Sequence, residues 1–454
     1  FGASTVDGDL SATATLGNIT QSGALTVGGT GTFVTSADDA DIVLSTATNA
    51  ITGEVSFTTN TSESAAAGTS DVTFDNGVLD IVFAASTIDG DLVVTSGNVS
   101  GITDNGTVTV DADVTLTTDA NAGVINMNQL AQTDNSGNTL TLNTQGAGTA
   151  TIVNATAVNL AAGTVGGATS ITATLGNIID AGTFTVSAGG ATFVTGADAA
   201  SINLGTLAVT GGITLTTNDS SGADSDATIV NATAFAFGAS TVDGDLSATA
   251  TTGSITQSGA LTVGGTGIFI TEDNASSIIL GNAGNAFASF VTLKAAAGGN
   301  EAFDDITFVD SGGVKLDANA DAAGDLFIDA QTDGAVGGDL SVTATTGAIT
   351  QGIALTVGGT GTFVTTQNDQ AITLSTANAI TGEVAFTTNT GQGASAGTGD
   401  VTFDNGSLDV VFAASTIDGD LVVTSGASAG ITDNGTVTVD ADVTLTTDAN
   451  AGVI

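Results

Sequence analysis

The chain copies itself over more than a quarter of its length. Residues 1–125 recur almost unchanged at 330–454, with one residue deleted along the way. The phrase FGASTVDGDLSATA also stands identically at 1–14 and at 237–250. A single active site does not require duplication on this scale. The repetition therefore predicts a protein that builds length from stacked structural units.

The spacing of the copies gives the size of one unit. Equivalent phenylalanines stand in the related phrases GGTGTFVT, GGATFVT and GGTGIFIT, at Phe33, Phe193, Phe269 and Phe363. Their separations from the first are whole multiples of about 19 to 20 residues, which is within the range of short solenoid repeats. We expect stacks of such units to have been duplicated together.

Short runs of alternating apolar and polar residues indicate strands. Examples are Leu25-Thr26-Val27 and Val108-Thr109-Val110, and the runs end at DG, NG or GG pairs that are typical of turns. The spacing of apolar residues that an amphipathic helix requires is absent. We predict an all-β chain with essentially no α-helix. Two or three strands per unit match one coil of a parallel β-helix, with Leu, Ile, Val, Ala and the 19 Phe facing inward.

A string of immunoglobulin-like sandwiches is the rival architecture, because it would also repeat. Such domains run near 100 residues and usually contain a core Trp or Tyr, and they carry Pro in their loops. This chain has no Trp, Tyr or Pro. The sequence therefore favours the solenoid.

The organisation predicted from the repeats is one continuous β-solenoid over 1–454. Besides the long duplication, partial copies lie near 160–215 and 237–271, and the least repetitive stretches are 126–150 and 272–330. Neither end shows a cap, so we expect a segment of a longer repetitive protein, or coils that associate end to end or into fibres. A ligand-binding loop, if there is one, is expected in the two least repetitive stretches.

One recurring pattern resembles the repeats of the filamentous haemagglutinin family of secreted adhesins from Gram-negative bacteria. The pattern G-x-L-x-x-x-A-x-x-G-x-I is found at Gly8, Leu10, Ala14, Gly17 and Ile19, and again at Gly244, Leu246, Ala250, Gly253 and Ile255. The resemblance implies a right-handed β-helix that is secreted through an outer-membrane partner and used for attachment. The chain departs from the family in lacking the proline of its secretion signature, and in having almost no Lys or Arg.

The charge balance excludes several classes of partner. The sequence has 47 acidic residues against two basic ones, Lys294 and Lys315, with no His. Binding to nucleic acid or to anionic membrane surfaces relies on Lys and Arg, which this chain almost lacks. The chain also has no run of 18 apolar residues, so the sequence does not predict membrane insertion. Since His and Cys are absent, the usual zinc and copper ligands are missing too. A mean hydropathy of +0.36 with 41% apolar residues is enough to fill a core.

Carboxylates remain as candidate ligands for Ca²⁺. In six places two aspartates are separated by a single residue, and each such pair could present two carboxylates on one face of a strand. The pairs are Asp7 and Asp9, Asp89 and Asp91, Asp111 and Asp113, Asp243 and Asp245, Asp418 and Asp420, and Asp440 and Asp442. The simpler interpretation of Asp-Gly-Asp is a turn with a solvated flank. Both interpretations are open at this point. Neither the calcium nonapeptide of β-roll toxins nor an EF-hand loop is present.

Catalysis is not expected, so we assign no catalytic residue and no required cofactor. Triads need a His, sugar-cleaving clefts are normally lined by Trp or Tyr, and the adjacent carboxylates Asp304-Asp305 and Asp38-Asp39 would point to opposite faces of a strand. We expect a non-catalytic structural segment of a secreted bacterial cell-surface filament or adhesin stalk. One alternative is a calcium-rigidified adhesin that binds a glycan or host surface directly. A less favoured one is a polysaccharide-active β-helix enzyme.

Overall fold

The computed structural model describes nine ranges of residues: 1–60, 69–133, 137–218, 224–274, 276–295, 303–329, 333–389, 399–448 and 452–454. These ranges contain β-strands and turns, with no helix in any of them. The chain divides into two compact units, Phe1–Ile229 (unit 1) and Val230–Ile454 (unit 2). The prediction of an all-β chain without α-helix is confirmed.

The strands of unit 1 are short. They are β1 Ser4–Val6, β2 Leu10–Ala14, β3 Ile19–Thr20, β4 Leu25–Val27, β5 Gly31–Thr35, β6 Ile42–Leu44, β7 Ala50–Ile51, β8 Val55–Thr58, β9 Val72–Asp75, β10 Ile81–Phe83, β11 Ser86–Ile88, β12 Leu92–Ser96, β13 Ile102–Asp104, β14 Val108–Val110, β15 Val114–Asn121, β16 Ile125–Gln132, β17 Leu140–Gln145, β18 Ala150–Asn154, β19 Val158–Leu160, β20 Gly163–Val165, β21 Thr169–Ala173, β22 Ile178–Asp180, β23 Phe184–Val186, β24 Ala191–Thr195, β25 Ile202–Val209 and β26 Gly212–Thr216.

Strand β27, Ala227–Asn231, runs from the last residues of unit 1 into the first of unit 2. The strands of unit 2 are β28 Phe235–Phe237, β29 Ser240–Val242, β30 Leu246–Ala250, β31 Ile255–Gln257, β32 Leu261–Val263, β33 Gly267–Thr271, β34 Ser276–Leu280, β35 Ala286–Phe287, β36 Val291–Ala295, β37 Phe303–Asp310, β38 Val314–Leu316, β39 Asp325–Asp329, β40 Ala335–Val336, β41 Leu340–Ala344, β42 Ile349–Gln351, β43 Thr356–Val357, β44 Gly361–Thr365, β45 Ile372–Leu374, β46 Ala379–Ile380, β47 Val384–Thr387, β48 Val401–Asp404, β49 Val410–Phe412, β50 Ser415–Ile417, β51 Leu421–Ser425, β52 Ile431–Asp433, β53 Val437–Val439 and β54 Val443–Thr447.

Strands of consecutive coils pair in parallel and in register. In unit 1, β2 pairs with β5 and β5 with β8, so that Ala12, Phe33 and Phe57 lie in one row. In unit 2, β41, β44 and β47 repeat the arrangement. Parallel strands must be joined by a crossover, and here the crossover is the rest of the same coil. The pairing therefore confirms a parallel β-solenoid, with about 18 turns among the described residues.

The length of a coil follows from the register. The expected 19 to 20 residues are found where Ala150 pairs with Thr169 and where Val72 pairs with Leu92. Other coils are longer, since Leu10 pairs with Gly31 and Ile42 pairs with Val72. Coil length therefore varies along the chain while the parallel pairing between coils is kept.

The core consists of the inward-facing apolar residues that the alternation predicts. Strand β5 has buried residues at positions one, three and five, with half-buried Thr and Val between them. Phenylalanines stack along the interior, for example Phe33 on Phe57 with ring centroids 5.7 Å apart in unit 1. Phe363 on Phe386, at 5.8 Å, is the equivalent pair in unit 2. Of the 19 Phe, 16 are buried, and Phe1, Phe290 and Phe327 are not.

Buried asparagines hold the corners between coils. In unit 1, Asn76 accepts a hydrogen bond from the Ile51 amide through Oδ1 (2.8 Å) and donates to the Ile51 carbonyl through Nδ2 (2.9 Å). Asn405 makes the same two bonds to Ile380 in unit 2, both at 2.9 Å. Such bonds pair backbone groups that would otherwise be buried without partners. The side-chain amides of Asn76 and Asn405 therefore extend the backbone ladder around the corners of their coils.

Candidate functional site

The second aspartate of several Asp-Gly-Asp motifs bonds the coil that follows it. Five consecutive links run through unit 1, in which each side-chain oxygen accepts a hydrogen bond from the backbone N–H at the same position one coil further on. We call residues linked in this way the aspartate ladder, and the members of this row of unit 1 are, in order, Asn18, Asp41, Asp71, Asp91, Asp113 and Thr139. The five N···O distances, in that order, are 3.0, 3.1, 2.9, 3.0 and 2.6 Å.

Unit 2 contains the same kind of link. Asp400 Oδ1 accepts from the Asp420 amide at 2.8 Å, and Asp420 Oδ1 accepts from the Asp442 amide at 2.9 Å. Single links start at Asp9 in unit 1, which accepts from the Thr30 amide at 2.8 Å, and at Asp245 in unit 2, which accepts from the Thr266 amide at 2.6 Å. Hydrogen bonds to an ionised acceptor are stronger than neutral ones. Carboxylates of this kind therefore tie one coil to the next.

The electrostatic environment of the ladder changes with depth. The backbone hydrogen bond from Thr30 lowers the pKa of the exposed Asp9. Burial raises the pKa of Asp71, and the neighbouring charges of Asp91 and Asp41 raise it further. Stacked carboxylates one coil apart thus repel each other where water is scarce.

The glycine of the motif makes room for the ladder. An added Cβ on Gly90 would lie 2.3 Å from Asp71 Oδ1, and one on Gly419 would lie 2.2 Å from Asp400 Oδ1. Neither glycine has a positive φ. We infer that glycine is required at these positions because the carboxylate and the backbone of the preceding coil both come close. A turn conformation open only to glycine is not the reason.

The first aspartate of each motif lies in a different row. Asp89 follows β11, whose Ile88 pairs with Val110, so Asp89 is one coil from Asp111. On the side of the preceding coil, Thr87 pairs with Thr58, so Asp89 lies next to the position of Asn60. The Asp89 amide donates to Thr59 Oγ1 at 2.8 Å, which agrees with this register. We call the row of Asn60, Asp89 and Asp111 the amide–acid column of unit 1.

Unit 2 has the equivalent amide–acid column, formed by Asn389, Asp418 and Asp440. Thr387 pairs with Thr416, the Asp418 amide donates to Thr388 Oγ1 at 2.9 Å, and Ile417 pairs with Val439. The structure therefore places the two aspartates of one motif in different inter-coil rows. It brings together the first aspartates of neighbouring coils, Asp89 with Asp111 and Asp418 with Asp440.

Four oxygen atoms of these columns have no hydrogen-bond partner. These oxygens are buried, and they occur at the same positions in both units: Asn60 Oδ1, Asp89 Oδ2, Asn389 Oδ1 and Asp418 Oδ2. The amide nitrogen Asn389 Nδ2 is also buried without a partner. Asn389 and Asp418 are 8% and 9% exposed. Burial raises the pKa of Asp111, and the charge of Asp89 raises it further, as expected for carboxylates stacked in one row.

The asparagines of the columns were missed in the sequence. Their signal was available, because the phrase TTNT stands at 58–61 and recurs at 387–390. Asn60 and Asn389 both adopt a positive φ, 56° and 64°, a conformation that asparagine tolerates better than most residues.

The six predicted pairs do not form larger acidic clusters. Within the described ranges, no three acidic side chains come together in a way that could hold a metal ion. Asp7 and Asp9 are both exposed, and Asp243 lies beside the ladder residue Asp245. Calcium binding by the pairs as predicted stays a prediction. Asp305, the neighbour of Asp304 in the adjacent pair that we did not expect to be catalytic, is a ladder residue whose Oδ1 accepts from the Asp339 amide at 2.8 Å.

A groove of about 520 Å³ lies in the non-repetitive stretch of unit 2. Its wall includes the buried carboxylates Asp310 and Asp325 and the half-exposed Lys315. The ammonium of Lys315 forms ion pairs with Asp317 and, at 3.6 Å, with Asp325, and the hydrogen bond to Asp317 is the main reason that its pKa is raised. Lys294, the other basic residue, pairs with Asp329 at 3.2 Å.

The second non-repetitive stretch also borders a depression. In unit 1 a cavity of about 160 Å³ is lined by polar side chains from three neighbouring coils, among them Gln132, Asn138, Asn159 and Asn177. It contains no carboxylate from the described residues. Its amide groups could hydrogen bond a polar ligand, but they provide no acid, base or nucleophile.

The comparisons with known proteins agree with a repetitive solenoid and go no further. A family model described as "Repeats of unknown function (DUF5649)" matches residues 1–58, 224–294, 305–387 and 398–454, which is more than half of the chain. The chain therefore belongs to this family of repeats. Neither the comparison with curated proteins nor that with solved structures found a match. Among the residues described, no helix is long and apolar enough to cross a membrane.

Proposed function

We propose that the chain is a non-catalytic structural segment of a secreted bacterial cell-surface filament or adhesin stalk, as the resemblance to filamentous haemagglutinin repeats implies. The main support is the aspartate ladder, in which five consecutive side-chain hydrogen bonds join coil to coil in addition to the parallel backbone pairing. Side chains used in this way resist separation of the coils along the stacking direction. A stalk has this mechanical task.

The acidic surface is consistent with an extracellular filament. A net charge of −45 makes neighbouring chains repel one another, which opposes side-by-side aggregation of long β-structures. Exposed strand edges are otherwise a common route to such aggregation. The chain contains no Cys, so no disulfide depends on the redox state of its surroundings.

Single-molecule force spectroscopy on the full chain tests the mechanical role. Replacing Asp71 and Asp91 by Ala removes two acceptors of the ladder, and we expect a lower unfolding force in unit 1. Asp80→Ala is the control, because this exposed aspartate lies outside the ladder and its loss also removes a charge. An unfolding force that the ladder variant does not change would contradict the mechanical role.

Location is tested separately, on the cells that make the protein. Antibodies raised against the chain should label intact cells, and external protease should remove the signal. Labelling that appears only after the cells are permeabilised would overturn the assignment to the cell surface.

Direct ligand binding is a second candidate function, and the groove in unit 2 favours it. Carboxylates such as Asp310 and Asp325 are common acceptors for sugar hydroxyl groups, and Ala323 is an exposed residue of the groove wall. Binding of the full chain to a glycan array tests this function, with Ala323→Arg as the variant that fills the groove. Leu16→Arg places the same charge on an exposed site in unit 1. A ligand held in the groove should be lost only in Ala323→Arg, while equal binding by both variants would exclude the groove.

A further inference from the structure

The amide–acid columns present buried oxygen atoms with nothing to bind. Asp418 Oδ2 and Asn389 Oδ1 are buried and have no hydrogen-bond partner in unit 2, and Asp89 Oδ2 and Asn60 Oδ1 are in the same position in unit 1. Leaving a buried polar group without a partner is costly, and the cost is greater for an ionised carboxylate. A ligand from solution would remove that cost.

No basic side chain of the chain can serve as that ligand. Lys294 and Lys315 are the only basic side chains in the sequence, and both form ion pairs elsewhere, with Asp329, Asp317 and Asp325. The next carboxylate in each column adds negative charge, at Asp111 in unit 1 and at Asp440 in unit 2. A cation from solution would satisfy these oxygens and neutralise the stacked carboxylates at the same time.

The spacing of the coils suits a divalent ion. Paired strands lie about 4.8 Å apart, and Ca²⁺ binds oxygen at about 2.3 to 2.6 Å, so one ion midway between two coils can contact side chains of both. The donors are carboxylate and amide oxygens, which are typical of Ca²⁺ sites and unsuited to softer metals. Asp111 is half-buried and Asp440 is exposed, so each column opens to water at one end. Water can supply the remaining ligands.

We propose that each unit binds one Ca²⁺ in its amide–acid column, at Asn60, Asp89 and Asp111 in unit 1 and at Asn389, Asp418 and Asp440 in unit 2. The ion joins coils through carboxylates of different turns. The aspartate pairs that the sequence predicts as Ca²⁺ ligands, by contrast, would supply both carboxylates from the same coil. This inference does not rest on the proposed function, because it concerns only the columns.

The test is calorimetric titration of the metal-free full chain with CaCl₂. Salt of about 0.15 M limits diffuse attraction to the acidic surface, because it screens exposed charges over about 8 Å. We expect saturable binding of two Ca²⁺ per chain. Asp89→Asn should leave one site, and Asp89→Asn combined with Asp418→Asn should leave none or weaken both by about tenfold or more, since affinity follows the number of charged ligands.

The matched control is Asp91→Asn combined with Asp420→Asn. It changes the same net charge at the neighbouring aspartates of the same motifs, and asparagine keeps an Oδ1 acceptor for the ladder. The control should retain two sites. Equal loss of binding in the control would show diffuse attraction to the acidic surface, and a wild type without saturable binding would show that no site exists.

Thermal unfolding gives a second measurement and separates a bound ion from a bound proton. Ca²⁺ should raise the melting temperature of the wild type and of the control, and it should not raise that of the doubly substituted column variant. The alternative is that a proton shared between the amide and acid oxygens satisfies them. In that case Ca²⁺ will not change the melting temperature of the wild type, and in the absence of metal the column variant will melt at a higher temperature than the wild type. That result would overturn the proposal. Far-UV circular dichroism checks that every variant keeps its β-structure.

Discussion

Gln21 and Asn49 lie in consecutive coils and exchange two hydrogen bonds. Gln21 Nε2 donates to Asn49 Oδ1 at 2.7 Å, and Asn49 Nδ2 donates to Gln21 Oε1 at 2.9 Å. Asn49 also accepts from the Leu25 amide at 2.9 Å and donates to the Asp75 carbonyl at 3.0 Å. Unit 2 has two equivalent pairs, Gln257 with Asn285 and Gln351 with Asn378. One asparagine thus links its own coil to the coils on both sides.

Asn49→Ala should therefore destabilise unit 1 strongly. The substitution leaves the buried Leu25 amide without an acceptor and the Asp75 carbonyl without this donor, and a buried unsatisfied group costs about 1 to 3 kcal/mol. Urea denaturation followed by circular dichroism measures the change in the free energy of unfolding. Asn128→Ala, which truncates an exposed asparagine of the same unit, is the control and should change it by no more than about 0.5 kcal/mol. Equal effects of the two substitutions would contradict the role of Asn49.

Gly90→Ala should destabilise the chain because its Cβ would lie 2.3 Å from Asp71 Oδ1. The Cβ would also lie 2.8 and 2.9 Å from the C and N atoms of Ser70. Relief of these overlaps must shift the backbone of the coil and move the carboxylate away from the Asp91 amide, so we expect a loss of about 1 to 3 kcal/mol. Gly8→Ala makes the same change in the same motif, and nothing lies within 4 Å of its added Cβ. Thermal melting of both variants decides between close approach and backbone freedom. Similar losses at Gly8 and Gly90 would favour backbone freedom.

The sequence predicted the elements of the fold well because they depend on local patterns. Alternation fixes which residues of a strand face inward, and the burial of Phe33 and Phe57 follows directly. Coil length was harder to predict, since the number of residues from one paired strand to the next varies, as the pairs Leu10 with Gly31 and Ile42 with Val72 show. Asp89 and Asp91 show the limit for the site. They are neighbours in sequence, but their partners are set by inter-coil register, which a single strand does not reveal.

Phe57→Ala should cost about 3 to 5 kcal/mol, the usual loss for a buried phenylalanine. Phe57 is fully buried and contacts three other rings, with centroid distances of 5.7 Å to Phe33, 5.3 Å to Phe74 and 6.1 Å to Phe83. Phe386→Ala, at the equivalent position in unit 2, should lose a similar amount. The control Leu16→Ala truncates a side chain that is 92% exposed, and it should leave the denaturation midpoint unchanged. A small loss at both phenylalanines would show that the stack contributes little.

Asp310→Asn should stabilise unit 2 at neutral pH. Asp310 Oδ1 accepts from the Phe287 amide at 3.0 Å, the bond that Asn76 makes to Ile51 and Asn405 makes to Ile380, so asparagine already fills this position in other coils. Burial raises the pKa of Asp310. The folded chain therefore holds this proton more tightly than the unfolded chain does. The stability that Asp310 contributes is therefore highest when the pH lies below 3.8, the ordinary pKa of an aspartate. This stability is lost as the pH rises through the raised pKa of Asp310 in the folded chain.

The gain from Asp310→Asn should accordingly depend on pH. We expect it to be largest at about pH 7, on the order of 1 kcal/mol, and to shrink as the pH falls through the raised pKa of Asp310, because the carboxyl group of the wild type then becomes protonated in the fold. Urea denaturation of both proteins at several pH values measures the difference. Asp80→Asn removes an exposed charge and should show no such trend. A gain that stays constant with pH would mean that lost hydrogen bonds or general charge repulsion, and not the buried carboxylate, determine the effect.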